Sequence, residues 1–126
     1  MHPSLVLPGR GPVVATSLRR TATVRDRVHG LIGRPLSEGE ALLIAPCRQV
    51  HTFGMPAPID VVFCDADLIV VHVTRRMKPR RVGRLCWAAR SAIELRAGAA
   101  EGVVAGDRLS VRDGLVLNNG VGHDYN

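Results

Sequence analysis

Apolar positions along this chain change their period several times, and each change marks a short element. Val24, Val28, Leu31 and Ile32 fall at i, i+4, i+7 and i+8, which is one stripe of a helix, with Arg25, Asp26 and Arg27 on the opposite side. Thr21 or Thr23 can cap its start, while Gly33 and Pro35 end it. Elsewhere the apolar runs are too short for helices. Residues 13–18 and 41–46, bounded by glycine and proline, predict strands, and 59–63 with 68–73 predict a hairpin around the turn Cys64-Asp65-Ala66-Asp67. In the first arm Ile59, Val61 and Phe63 share one face and Asp60 and Val62 the other, so Asp60 sits among apolar neighbours and needs a partner. Residues 91–95 predict a further strand, 97–104 a short second helix before the turn Gly106-Asp107, and 109–111 a strand that closes the sheet. The expected fold is mainly β, a β-rich α+β arrangement: a compact sandwich or barrel-like sheet with one amphipathic helix laid on it and a short second helix.

A length of 126 residues sets the scale of one domain, 1–126, with a core at about 13–112 and a polar tail at 115–126. Hydrophobic residues make up 46% of the chain but aromatics only 3%, so the interior is aliphatic and base-stacking platforms are missing. Seventeen Lys and Arg against eleven Asp and Glu give a net charge of +6, which favours acidic partners without choosing among them. Six of those cations, Arg75, Arg76, Lys78, Arg80, Arg81 and Arg84, fall within ten residues that contain no acid, and Pro79 and Gly83 make that run a solvated loop or hairpin edge. It suits weak electrostatic contact with an acidic protein or membrane surface. Without a recognition helix or a known nucleic-acid module, it argues against DNA or RNA. The proline-broken start has no signal-peptide pattern and no run reaches the roughly 18 apolar residues of a membrane span, which leads to the expectation of a cytoplasmic protein. Three cysteines, 47, 64 and 86, lack zinc-like spacing and read as free thiols in a reducing compartment.

The stretch from Cys47 to Phe63 gathers a cysteine, a histidine, a phenylalanine and a methionine in a proline-broken segment, and three chemistries compete for it. Cys47 and His51 could start a metal site, but no second ligand pair stands at motif spacing, so no metal and no cofactor is expected. Cys47 or Cys86 with His51 as base and Asp60 or Glu94 as orienter would make a thiol nucleophile, yet no local signature surrounds either cysteine, and the preferred reading of Cys47, Cys64 and Cys86 is small buried hydrophobes. Asp60 and Glu94, both on predicted strands, could share a proton or hold a cation if the strands neighbour each other; the alternative is that each accepts backbone or arginine hydrogen bonds, with Arg34 a natural partner. The reading that needs least is a shallow pocket walled by Cys47, His51, Phe53, Met55 and Trp87 with Arg34, Asp60 and Glu94 at its floor.

Gly30, Leu31, Ile32 and Arg34, then Met55, Pro58, Ile59 and Asp60, then Glu94, Leu95 and Gly98, and finally Gly106 and Asp107 stand in the order and at the distances of a known pattern. Over residues 22–111 the chain resembles the domain of unknown function 192 family of bacteria and archaea. The resemblance implies a compact β-rich fold and no settled activity. Two features depart from the family: the lysine, asparagine and threonine that usually follow the methionine are missing, and Cys47 and His51 stand just upstream. The short, basic form is similar to members encoded beside pilus-assembly genes, which implies an accessory role in a cell-envelope system. Together these readings describe a non-enzymatic module that binds a small ligand or a protein. A hydrolase or metal-dependent enzyme using Asp60, Glu94, His51 and Cys47 is the competing class, and a basic adaptor the third.

Overall fold

The computed structural model describes residues 3–7, 13–21 and 36–112. Eight strands are found there: β1 (Ser4–Val6), β2 (Val13–Ala15), β3 (Ser17–Thr21), β4 (Glu40–Ile44), β5 (Ile59–Cys64), β6 (Val70–Met77), β7 (Ser91–Arg96) and β8 (Ser110–Arg112). They form a five-stranded sheet in the order β3-β4-β7-β5-β6 and a three-stranded sheet in the order β2-β1-β8. The fold is mainly β. Pairing is antiparallel except between β3 and β4, where Leu18 faces Ala41 in parallel register. Two links tie the sheets: the Leu18 amide donates to the Pro3 carbonyl, and Ile69 bridges Arg108, with the Leu109 amide donating to Leu68.

The strand period sorts side chains onto two faces of the large sheet. Val62, Cys64, Ile93, Leu95, Ala41 and Leu43 point to one, where they meet Leu5, Leu7 and Leu109 from the small sheet and its flanks. Ile59, Val61, Phe63, Leu42, Ile44 and Ala92 point to the other, which is roofed by Val50 and Met55 from one loop and Cys86 and Ala89 from another. Both faces are buried, which is why β5 is apolar at every position but Asp60.

The hairpin of β5 and β6 forms as the alternation predicts, with Asp65 Oδ1 accepting from the Asp67 and Ile69 amides to fix its turn. Other expectations need correction. The run 13–18 is broken at Thr16 into two strands of different sheets, because the Thr16 and Ser17 amides both turn to the Gly39 carbonyl. Ahead of it, β1 buries Leu5 and Val6, so the core begins earlier than residue 13. The strand at 109–111 joins the small sheet, pairing with β1. β6 runs on to Met77, taking Arg75 and Arg76 out of the loop in which the sequence placed them.

The short helix expected at 97–104 does not form; 97–102 is a series of turns. Its amides are captured elsewhere. Gly98 has a φ of +95°, outside helical space, and the Gly98 and Ala100 amides donate to Asp60 Oδ2 at 3.0 Å each. The amphipathic helix around Val24–Ile32 and the residue Arg34 lie outside the described residues.

A loop-borne surface over the second face

Residues 46–58 and 78–90 are the two loops that roof the second face. Pro46, Pro56 and Pro58 remove ladder donors from the first, and Pro79 does so in the second, so neither can join the sheet as a strand. They bond to each other instead. Fully buried Thr52 is the hub: its hydroxyl donates to the Lys78 carbonyl at 2.6 Å and accepts from the Arg81 amide at 2.9 Å, while its own amide donates to the Arg81 carbonyl at 2.9 Å. The Arg80 amide donates to Thr52, Gly83 to Val50, Cys86 to Arg48 and Cys47 to Arg90, and His51 bridges Val82. Side chains add the Arg48 Nε bond to the Trp87 carbonyl and the Gln49 amide bond to the Gly83 carbonyl. Gly83 lies in close approach: a Cβ there would sit 3.1 Å from the Val50 carbonyl oxygen and from the Met77 methyl, a tight fit in which a neighbour has to shift.

This zipped pair has two sides. Val50, Met55 and Cys86 are buried against Phe63, Ile59 and Met77. Phe53, Val82, Leu85 and Trp87 are instead exposed, by 54%, 65%, 41% and 75%. The His51 and Phe53 rings lie 5.6 Å apart between centroids. Around these apolar groups the same two loops carry Arg48, Lys78, Arg80, Arg81, Arg84 and Arg90 and no Asp or Glu. The two joined loops thus combine four exposed apolar side chains with charges of one sign. Single exposed hydrophobes are ordinary, but four large ones on two joined loops are not.

Among the described residues, those that the sequence assigns to the site lie on different faces of the large sheet and its loops. Asp60 pairs with Leu95 and Glu94 with Val61, so the sheet places the two buried carboxylates on opposite faces, where they cannot share a proton or a cation. Asp60 points into the first core, and its carboxylate accepts the Arg76 amide at 2.9 Å as well as those of Gly98 and Ala100. Arg75 follows it to the same region, its guanidinium donating to the Ala100 and Val103 carbonyls. Glu94 lies on the loop-covered face with Met55 and Cys86. His51 and Cys47 are partly buried, and the Cys47 thiol donates to the Gln49 carbonyl at 3.2 Å. Burial, helped by the neighbouring Asp65 charge, pushes the Cys64 thiol up to about 12, and burial also raises Cys86 against the opposing effect of Arg84. Neither is a nucleophile in the making.

Trp87 is turned outward while Met55 is turned in, so they cannot wall the same cavity. Met55 does border a cleft of about 450 Å3, with Leu36, Pro56, Pro58, Ile59 and Arg96. Cys47 borders another of about 390 Å3 with Pro46, Arg48, Ala89 and Arg90. Among the described residues no group of three or more His, Cys, Asp and Glu is placed to hold a metal ion. No described helix is long and apolar enough to cross a membrane. The exposed Val82, Leu85 and Arg48 and the buried hub Thr52 are the residues of this loop pair that sequence reasoning missed. Val82 and Leu85 did carry a signal: lone aliphatics between arginine and glycine or cysteine have no strand or helix period to bury them.

The fold and the loop surface define a small two-sheet β protein with a roofed sheet face. The chain belongs to the domain of unknown function 192 family (DUF192), described as "Uncharacterized ACR", whose sequence profile matches residues 7–111. Two solved structures share the fold. One is a protein of unknown function from Novosphingobium aromaticivorans, with a TM-score of 0.72, 20% identity, and coverage of 85% of this chain and 82% of that one. The other, from Sinorhizobium meliloti and described as a candidate transcription regulator, has a TM-score of 0.70, 18% identity, and coverage of 86% and 92%. No curated protein matches the chain.

Proposed function

We propose that this chain is a non-enzymatic, single-domain binding module whose working surface is the outer side of the loop pair, and that it engages an acidic partner surface there. The observation that carries the reading is the exposure of Phe53, Val82, Leu85 and Trp87 on two joined loops that carry six cations and no acid. Apolar area supplies affinity when it leaves water, and the charge selects and steers partners of opposite sign. Chemistry has less support: Asp60 is spent on three backbone amides, and Cys64 and Cys86 are buried thiols held protonated. The two links between the sheets support the barrel-like description of the fold.

Binding of the intact protein to an acidic glutamate–tyrosine copolymer at low salt tests this, read from the emission of Trp87, the chain's single tryptophan. The expected result is a saturable emission change that the double variant Arg80→Glu, Arg81→Glu loses. Unchanged binding by that variant would remove the loop surface from consideration.

A further inference from the structure

Resting on the reading of the loop pair as the working surface, we infer that its partner is the surface of an anionic lipid bilayer, with Phe53, Val82, Leu85 and Trp87 entering the boundary between headgroups and acyl chains and the surrounding cations held at the lipid charges.

Three observations favour a bilayer over a folded protein. The first is the backbone. A surface that enters the edge of the hydrocarbon meets few hydrogen-bond partners, so its own peptide groups must be satisfied within the protein. Part of the loop pair meets that condition: amides of Cys47, Thr52, Met55, Arg80, Arg81, Gly83 and Cys86 all donate within the pair, and the Trp87, Gly83 and Lys78 carbonyls accept from side chains of the opposite loop.

The second is the kind of side chain. A tryptophan at 75% exposure, with phenylalanine, leucine and valine beside it, is the composition that settles at a membrane interface, where an indole keeps its ring in the apolar zone and its N–H among headgroups. Arginine and lysine stems reach back to the phosphates from the same depth. Arg48, Lys78, Arg80, Arg81, Arg84 and Arg90 supply the attraction that anionic lipids return, and no carboxylate in either loop opposes it.

The third is shape. A protein partner that inserted anchors of its own here would need pockets beside these four side chains. The cavities of 380 to 450 Å3 among the described residues are lined by other residues, and none of the four exposed apolar side chains borders them. A fluid surface asks for no pocket; it asks for exposed apolar groups together with positive charge.

The experiment uses the intact protein with vesicles of phosphatidylcholine alone and of phosphatidylcholine containing one-third phosphatidylserine. With the anionic vesicles, Trp87 emission should shift to the blue and be quenched by phospholipids brominated in the upper acyl chain; with the neutral vesicles it should stay water-like. Co-sedimentation should fall at least ~10-fold for Trp87→Ala and for Arg80→Glu, Arg81→Glu, and should be lost near ~1 M salt, where charges are screened beyond about 3 Å. Circular dichroism of both variants confirms that exposed positions were changed without unfolding. Absence of any shift with anionic vesicles overturns the inference. If the glutamate–tyrosine copolymer still changes Trp87 emission in the wild type and not in the double variant, the working surface stands and its partner is an acidic protein. If neither probe changes it, both readings fall.

Discussion

Replacing Asp60 by Asn keeps its size and removes its charge, and the structure allows the cost to be worked out. The carboxylate is buried and accepts three backbone amides, Arg76 on one oxygen and Gly98 and Ala100 on the other. An asparagine can leave its carbonyl oxygen facing Gly98 and Ala100, but its NH2 then meets the Arg76 amide donor to donor. One buried amide loses its partner, at about 1–3 kcal/mol, and the two remaining bonds drop from charged to neutral, at about 1 kcal/mol each. Relief of the carboxylate's own desolvation returns part of this. The net loss is about 2–4 kcal/mol against a total of about 5–15 for a domain of this size. Urea unfolding reads it as a midpoint lowered by ~1–2 M at unchanged slope. Hydrogen exchange should quicken first at the Arg76, Gly98 and Ala100 amides, since the end of β6, where its register against β5 shifts between Ile59 and Val61, and the turns at 97–102 hang on this side chain. A variant within about 0.5 kcal/mol of wild type, with those three amides still protected, would refute the assignment of Asp60 as the structural anchor of that corner.

Other outcomes follow from single contacts. Gly39→Ala should lower stability by about 1–3 kcal/mol in a thermal melt, because φ there is +80° and a Cβ would stand 2.5 Å from the Thr16 hydroxyl oxygen; an unchanged melt would contradict it. A thiol reagent at neutral pH should label Cys47 quickly and Cys64 only as the protein unfolds, since Cys64 is buried and its thiol is pushed up to about 12; equal rates would be against this. His72 is held below its ordinary 6.5, chiefly by burial and secondarily by Arg84. The unfolded chain therefore binds its proton first, so His72 contributes a loss of stability as pH falls below about 6.5 and none above it. An NMR titration should place its midpoint below that value and raise it in Arg84→Ala, and a midpoint at or above 6.5 would exclude the effect.

How far the sequence could be read depended on whether a residue's fate was decided by its neighbours in the chain. The alternation in 59–63 was sufficient to place Ile59, Val61 and Phe63 on one face and Val62 on the other, because a strand's period is local. The need of Asp60 for a partner was equally legible. Its partners were not, since they are amides from β6 and from a turn 40 residues away. The same bond explains the failed helix at 97–104: the alanine-rich pattern favours a helix locally, but a buried carboxylate outbids one weak turn. Asp60 and Glu94 looked like a pair until register was known, and a shift of one residue in strand pairing decides which face each occupies. At the candidate surface, the chemistry of Phe53 and Trp87 suggests a pocket wall, yet both are exposed; the zipper through Thr52 beside them rests on pairings between two loops some 30 residues apart, which no periodicity announces.

The central claim is that binding occurs on the outer side of the loop pair, and backbone amide shifts of the isotope-labelled protein test it most directly. Small bicelles with and without phosphatidylserine, and the glutamate–tyrosine copolymer, are added at low salt. Shifts confined to 48–54 and 80–87, appearing with an acidic probe and fading as salt is raised, are the predicted result. Shifts centred instead on 36–39, 55–59 and Arg96, around the 450 Å3 cleft, would contradict the account and move the working site to that cleft.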